Sequence, residues 1–188
     1  DPAEVTQTVN KWIAQELQVA AGSVTANIEQ LRFNDAAGVL YHFVYDVFCD
    51  WYLEFAKPLF TGADEKLKAE TRATAAWVRD NILKLLHPFA PFITEELWAV
   101  TAATPRDSLL VVAAWPDLSH TPDYSAASAE MKWVMDLIKG VRSVRAEMNV
   151  PAGAKIPLVL NGADSTTKER LARNKDVIMT LARLTQAD

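Results

Sequence analysis

Between Phe33 and Lys57 the chain carries the stripe Leu40, Val44, Val47, Trp51 and Phe55, flanked by Tyr41, Phe43, Tyr45, Phe48 and Tyr52. At about 100° per residue these side chains cover more than half the circumference of one helix roughly 37 Å long. An arc that wide needs packing partners on two or more sides, so the segment is expected to be the centre of a helical bundle. Pro58 and Gly62 are expected to stop it.

The neighbours follow from the same periodicity. Val5, Val9, Ile13 and Leu17, with Trp12 beside Ile13, predict a first amphipathic helix ending near Gly22. Asp64 to His87 places Leu67, Ala75, Val78, Ile82, Leu85 and Leu86 at helical spacing, with Pro88 and Pro91 expected to end that helix. Thr94 reads as the N-cap of a short helix whose first positions are Glu95 and Glu96 and whose anchors are Leu97 and Trp98. Thr101 to Pro122 reads as an irregular crossing with one extended piece near Leu109 to Val112, and a further helix runs from about Asp123 to Met148.

After Pro151 and Gly153 the period changes. Ile156, Leu158 and Leu160 alternate, Asn161-Gly162 is a hairpin-grade turn, and Pro157 confines the strand to an edge or an isolated pairing. One or two short helices follow, Thr166 to Arg173 and Lys175 to Leu184. The expected fold is mainly α: an up-and-down bundle of four or five helices over residues 1–150, with a small α+β appendage of strand and helix over 151–188.

Composition excludes several classes. With 50% hydrophobic and 23% charged residues the chain is neither disordered nor of low complexity, and no apolar run approaches the length needed to cross a bilayer. No membrane association is expected, and the N-terminus has no signal-peptide order. The lone Cys49 rules out an intramolecular disulfide and a multi-thiolate zinc site, which suits a reducing cytoplasm. The first residue is Asp1, and Asp-Pro-Ala-Glu leads straight into helical periodicity, as expected of a piece of a longer polypeptide.

The net charge of -5 argues against nonspecific coating of nucleic acid, yet the charge is unevenly placed. Residues 1–122 carry 9 Lys+Arg against 16 Asp+Glu, whereas residues 123–188 carry 10 against 8. Lys132, Lys139, Arg142, Arg145 and Lys155 face only Asp136 and Glu147, so a late helix and its exit present a local positive surface or an ordinary solvated face.

Little supports catalysis by these residues. His42, Asp46, Cys49 and Asp50 share one arc of the central helix and have the spacing of a metal site, but the same acidic line, continued by Glu54, is more simply a polar face answered by cations such as Lys57. His87 and His120 have no companions at ligand spacing. No phosphate-binding glycine loop, nucleophile elbow, His-Glu-x-x-His or Cys-x-x-Cys occurs, so neither catalytic residues nor a metal or cofactor site is expected, and a binding module is the better reading.

Three segments narrow that reading. RFNDAAGVLYHFVYDVFCDWYLEFAKP, Arg32 to Pro58, resembles the central helix of the anticodon-binding domain of class I aminoacyl-tRNA synthetases, in the valyl branch, with FCDWYLE, Phe48 to Glu54, its sharpest part. LHPFAPFITEELW, Leu86 to Trp98, and VRSVRAEMNVPAGAKIPLVL, Val141 to Leu160, agree in order. Isoleucyl and leucyl relatives share the Glu-Glu-Leu-Trp-like element but usually differ around Cys49-Asp50-Trp51 and from Arg145 to Asn149.

The resemblance implies a module that binds the anticodon stem and loop of valine tRNA. The ligase chemistry, with its ATP and Mg, would belong to other domains of the parent enzyme. The His-Ile-Gly-His-like and Lys-Met-Ser-Lys-Ser-like motifs of that chemistry do not occur here, so the nucleotide-binding domain, the editing insertion and the C-terminal coiled-coil arm are expected to lie outside this chain. It also implies a cytoplasmic protein, expected to be a monomer.

Loop bases are read by aromatic stacking and hydrogen bonds, and the stem by cations on phosphate. The candidates are Lys11 with Trp12, Arg32 with Phe33, and the late cluster Arg142, Arg145 and Asn149. Trp12 is evenly balanced between core anchor and base platform. For Phe33 and Arg145 a structural role is favoured, with Asp50 or Glu54 as the expected partner of Arg145. Trp51, Trp77, Trp98 and Trp133 are expected to be mainly core. The rival reading is a helical protein-interaction domain without RNA binding, separated from the first by the presence or absence of synthetase motifs in the preceding coding sequence.

Overall fold

A computed structural model describes residues 4–188, so the expectation attached to Asp1, Pro2 and Ala3 lies outside the described residues. The chain forms two compact units, 1–125 and 126–188. The boundary expected from the sequence lay at 150.

The first unit is helical. α1 (Thr8–Glu29) packs on α2 (Phe33–His42), on a π-helical segment (Phe43–Tyr52) and on α4 (Glu65–Leu86). The π segment runs directly into α3 (Leu53–Thr61), which lies on α4, and α5 (Pro91–Val100) follows on the other end of α4. The core joins Trp12, Ile13, Leu17 and Val24 of α1 to Leu40, Phe43, Tyr52 and Phe55, and to Val78, Ile82 and Leu85 of α4. Trp12 meets Phe55 edge-on, with ring centroids 5.9 Å apart.

The central helix is present, but its buried face is not the expected stripe. Leu40 and Phe55 are buried as anticipated, whereas Val44, Val47 and Trp51 are only half-buried and Phe43 and Tyr52 take the core positions. The cause is the winding. The Leu53 amide reaches the carbonyl of Phe48, five residues back, and this looser turn rotates the inward face relative to an α-helical period. Pro58 does not stop the helix. It sits inside α3, which ends at Gly62, and the Thr61 hydroxyl donates to the Lys57 carbonyl at 3.1 Å.

Three other boundaries differ from the sequence reading. α1 continues past Gly22 to Glu29, because Val24 and Ile28 extend its inward face and a Cβ at Gly22 would meet open space. It ends on Leu31 in the left-handed region (φ 58°), where the Arg32 amide reaches back to the Asn27 carbonyl. Thr94 is not an N-cap. Pro91 opens α5, where a residue without an N–H costs nothing, and buried Thr94 donates to the Ala90 carbonyl at 2.8 Å and lies 2.8 Å from His87 Nδ1. The crossing holds no extended strand among the described residues but a 3-10 turn, Leu110–Val112, whose Leu110 and Val111 amides donate to the Glu95 carboxylate.

Arg106 closes this end of the unit. Its guanidinium lies 3.7 Å from the centre of the Trp98 ring and donates to Asp80 at 2.8 Å and to the Trp98 carbonyl. Trp98 in turn donates to the Ser108 carbonyl, so the crossing segment is fastened to α4 and α5.

The second unit comprises most of α6 (Ser125–Glu147), then β1 (Ile156–Leu158), α7 (Ser165–Ala182) and β2 (Leu184–Ala187). β1 and β2 pair in parallel across α7, not as the hairpin that Asn161-Gly162 suggested, and the register shifts at Pro157, which has no amide to donate. The two expected C-terminal helices are one. Asn174, at the expected break, spends its side chain on the Arg170 carbonyl and on Glu130. Among the described residues no helix is long and apolar enough to cross a membrane.

Candidate nucleic-acid interface

A single strand is held by cations on phosphates and by exposed aromatic faces on bases, so exposure decides which candidates can serve. Trp12 is 1% exposed and belongs to the core. Lys11, one position earlier, is half-buried, with its ammonium 6.0 Å from the Tyr124 ring centre.

Arg32 is exposed at the junction of α1 and α2 and pairs with Asp35 at 2.7 Å. An exposed pair of this kind contributes little to stability and exchanges readily for another anion. Phe33, for which a structural role was favoured, is about half exposed. With Thr25, Ile28, Glu29, Pro88, Phe89 and Trp115 it lines a pocket of about 620 Å³. The Trp115 indole N–H donates to Thr25 at 2.9 Å, which fixes that wall. Residues this far apart in sequence carry no common spacing signal, so sequence reasoning missed Trp115. Lys11 and Arg32 lie at opposite ends of α1, about 30 Å apart by the helical rise.

In the second unit, Arg142 is exposed on α6 and donates through Nε and Nη2 to the Leu181 carbonyl at 3.3 and 3.1 Å. Lys132, Lys139 and Arg142 fall within about 80° of one another around the helix and form a cationic face that includes Asp136. Lys132 pairs with Asp136 at 2.8 Å.

Arg145 is 7% exposed, and its guanidinium donates to the carbonyls of Ala154 (2.8 Å), Pro151 (3.2 Å) and Arg183 (3.5 Å). These acceptors are backbone groups of its own unit and not the Asp50 or Glu54 carboxylate expected from the sequence. Asn149 closes α6 in the left-handed region (φ 52°). Its amide reaches the Ala146 carbonyl, and that of Val150 the Arg145 carbonyl, a Schellman end that asparagine suits better than most side chains. Arg145 and Asn149 therefore shape the exit of α6, while Asn149 keeps its side chain exposed.

The acidic arc of the central helix forms no donor cage. His42 Nδ1 contacts the Asp46 carboxylate, Lys57 pairs with Glu54, and no group of three His, Cys, Asp or Glu side chains converges among the described residues. Partial burial, then the Asp50 charge, push the exposed Cys49 thiol above its ordinary pKa, which disfavours a reactive thiolate. On the same helix the rings of Tyr41 and Tyr45 stack, exposed, 4.6 Å apart.

A buried polar network holds α1 against α4 and the π segment. Asn10 donates to Glu70 at 2.9 Å and to Thr71 at 3.2 Å, and accepts from the Tyr52 hydroxyl at 3.1 Å. Burial works to raise the pKa of Glu70, but hydrogen bonds from Thr6, Asn10 and the Gln7 amide outweigh it and hold the carboxyl below its ordinary value. Burial, and then the Glu70 charge, push the Tyr52 phenol well up.

Comparison with known proteins gives this geometry a family. Residues 10–160 match the model of the anticodon-binding domain of tRNA ligase. The chain is 52% identical over 186 residues to the valine–tRNA ligase of Caulobacter vibrioides, covering 98% of this chain and 20% of that protein. Against the valine–tRNA ligase of Brucella suis it is 51% identical over 185 residues, 97% of this chain and 20% of the relative. Against that of Agrobacterium fabrum it is 53% identical over 178 residues, 94% and 19%. The chain spans about a fifth of the length of these curated relatives. A mainly helical unit whose family model covers four-fifths of the sequence belongs to the anticodon-binding domain family of tRNA ligases.

Proposed function

We propose that this chain is the module of a valine–tRNA ligase that holds the anticodon stem and loop of valine tRNA. What supports this reading is the family match over residues 10–160 together with about 50% identity to several valine–tRNA ligases. The joining of valine to its tRNA, with ATP and Mg, then belongs to the rest of a cytoplasmic, monomeric parent.

The contact set comprises Lys11, Arg32, Arg142 and Asn149, each with exposed side-chain surface. Trp12 and Arg145 support it from the interior. Because residues 1–122 are strongly acidic, the contacts are few, and the parent gains affinity by linking this module to domains that hold the other end of the tRNA.

The test is titration of the chain with valine tRNA, repeated with Lys11→Ala, Arg32→Ala and Arg142→Ala. Weaker binding with unchanged helicity is the expected result. Unchanged binding in all three variants would remove the contact set.

A further inference from the structure

Residues 1–122 are acidic, yet five of their nine lysines and arginines stand on α4: Lys66, Lys68, Arg72, Arg79 and Lys84. The same helix has three carboxylates, Glu65, Glu70 and Asp80, and Glu70 is turned onto Asn10 and the Gln7 amide of α1 and its entry. At about 100° per residue Lys68, Arg72 and Arg79 fall within about 40° of one another. That side lies roughly 120° round the helix from Thr74, Val78 and Leu85, which are buried. By the helical rise the row is about 17 Å long, with Ala75 and Ala76 between its two arginines.

The three cations are not neutralised. Arg72, in the middle of the row, is exposed, and no ion pair among the described residues holds its guanidinium. Arg79 donates through Nε and Nη2 to Asp80 at 3.1 and 2.8 Å, but the same carboxylate pairs with Arg106 at 2.8 Å, so one negative charge faces two positive ones. Lys68 pairs with Glu65 at 2.6 Å, and Glu65 is largely open to solvent, where such a pair exchanges readily for another anion.

A basic row along one helix face is the electrostatic footprint of a phosphate backbone, and the guanidinium fork matches phosphate oxygens two at a time. Bases would need an aromatic face, and the aromatic residue of α4, Trp77, lies about 160° round the helix from the row. We infer that Lys68, Arg72 and Arg79 of α4 grip the sugar–phosphate backbone of the bound tRNA without reading its sequence. The inference rests on the proposal that this chain holds tRNA, and it adds to that contact set a row on the acidic unit.

The experiment is titration of the chain with valine tRNA and with isoleucine tRNA between about 50 and 200 mM salt, with helicity followed by circular dichroism. Arg72→Gln and the double variant Arg72→Gln/Arg79→Gln are compared with Lys66→Gln, an exposed cation 120° or more round the helix from the row. Arg72→Gln is expected to lower the slope of log affinity against log salt by about one, and the double variant by about two. Both tRNAs should lose affinity by the same factor, and Lys66→Gln should leave the slope unchanged. Should the double variant not fold, Arg72→Gln decides alone, because its side chain supports no ion pair of the described structure. An unchanged slope for Arg72→Gln, an equal loss in Lys66→Gln, or a loss confined to one tRNA would overturn the inference. Weaker binding of Arg142→Ala in the same series would then leave the tRNA reading standing, whereas a chain that binds neither tRNA would overturn both.

Discussion

The hydroxyl of Tyr52 donates to Asn10 Oδ1 at 3.1 Å, joining the π-helical segment to α1 where neither residue is exposed. Tyr52→Phe leaves the buried Asn10 oxygen without that donor. The expected loss is about 1–3 kcal/mol in urea unfolding. Asn10→Ala should cost more, because it also strips a donor from Glu70 and Thr71. A Tyr52→Phe protein as stable as the parent would mean that the network does not hold these helices together.

Glu70 makes the same network sensitive to acid. Its pKa in the folded protein lies below the ordinary value of 4.5, so the unfolded chain binds the proton more readily. The stability it contributes is fully present above about pH 4.5 and is lost as pH falls through the lower folded value. Glu130 behaves alike: burial works to raise its pKa, but hydrogen bonds from Arg173 and Asn174 outweigh it. Unfolding midpoints measured from pH 7 down to pH 3 should fall, and Glu70→Gln should flatten part of that fall. An identical pH profile for the variant would contradict the assignment.

The central helix shows where the sequence is transparent and where it is not. Its existence, length and central place follow from the breadth of its apolar arc, but its inward face does not, because Phe43 and Tyr52 are brought inside by π winding that an α-helical period cannot anticipate. Gly22 and Pro58 read as stops because each weakens a helix locally. Packing on both sides of Gly22, and a chain already wound before Pro58, override that preference. Thr94 has the side chain of a cap, yet Pro91 three residues earlier is the better start.

The candidate site was partly legible for related reasons. The cations Lys11 and Arg142 stand on helix positions that periodicity leaves outside the apolar stripe, and Arg32 stands at the junction before α2. Arg145 reads as a member of the same basic cluster, and the acceptors that bury it are carbonyls, which carry no sequence signal. The pocket shared by Phe33 and Trp115 joins residues 82 positions apart, so its assembly appears only in three dimensions.

Arg142 and Arg145 are expected to separate cleanly. Arg145→Ala removes the buried guanidinium that donates to the Pro151 and Ala154 carbonyls and should destabilise the second unit by about 1–3 kcal/mol. Arg142→Ala should leave stability nearly unchanged but weaken tRNA binding and lower its salt slope by about one. Chemical denaturation and tRNA titration of the two variants side by side check both halves. The reverse pattern would exchange their roles.

Asn149 offers a conformational test. With φ at 52°, Asn149→Gly should be neutral or slightly stabilising, whereas Asn149→Val should cost about 1–2 kcal/mol by forcing a branched side chain into the left-handed region. Thermal unfolding of the two variants measures the difference. Equal midpoints would show that α6 ends differently in solution.

The most direct test of the whole account is a titration of this chain with valine tRNA and with isoleucine tRNA at several salt concentrations. Weak binding that favours valine tRNA and fades steeply as salt rises is the expected result. Binding that ignores salt, or that treats the two tRNAs alike, would contradict it.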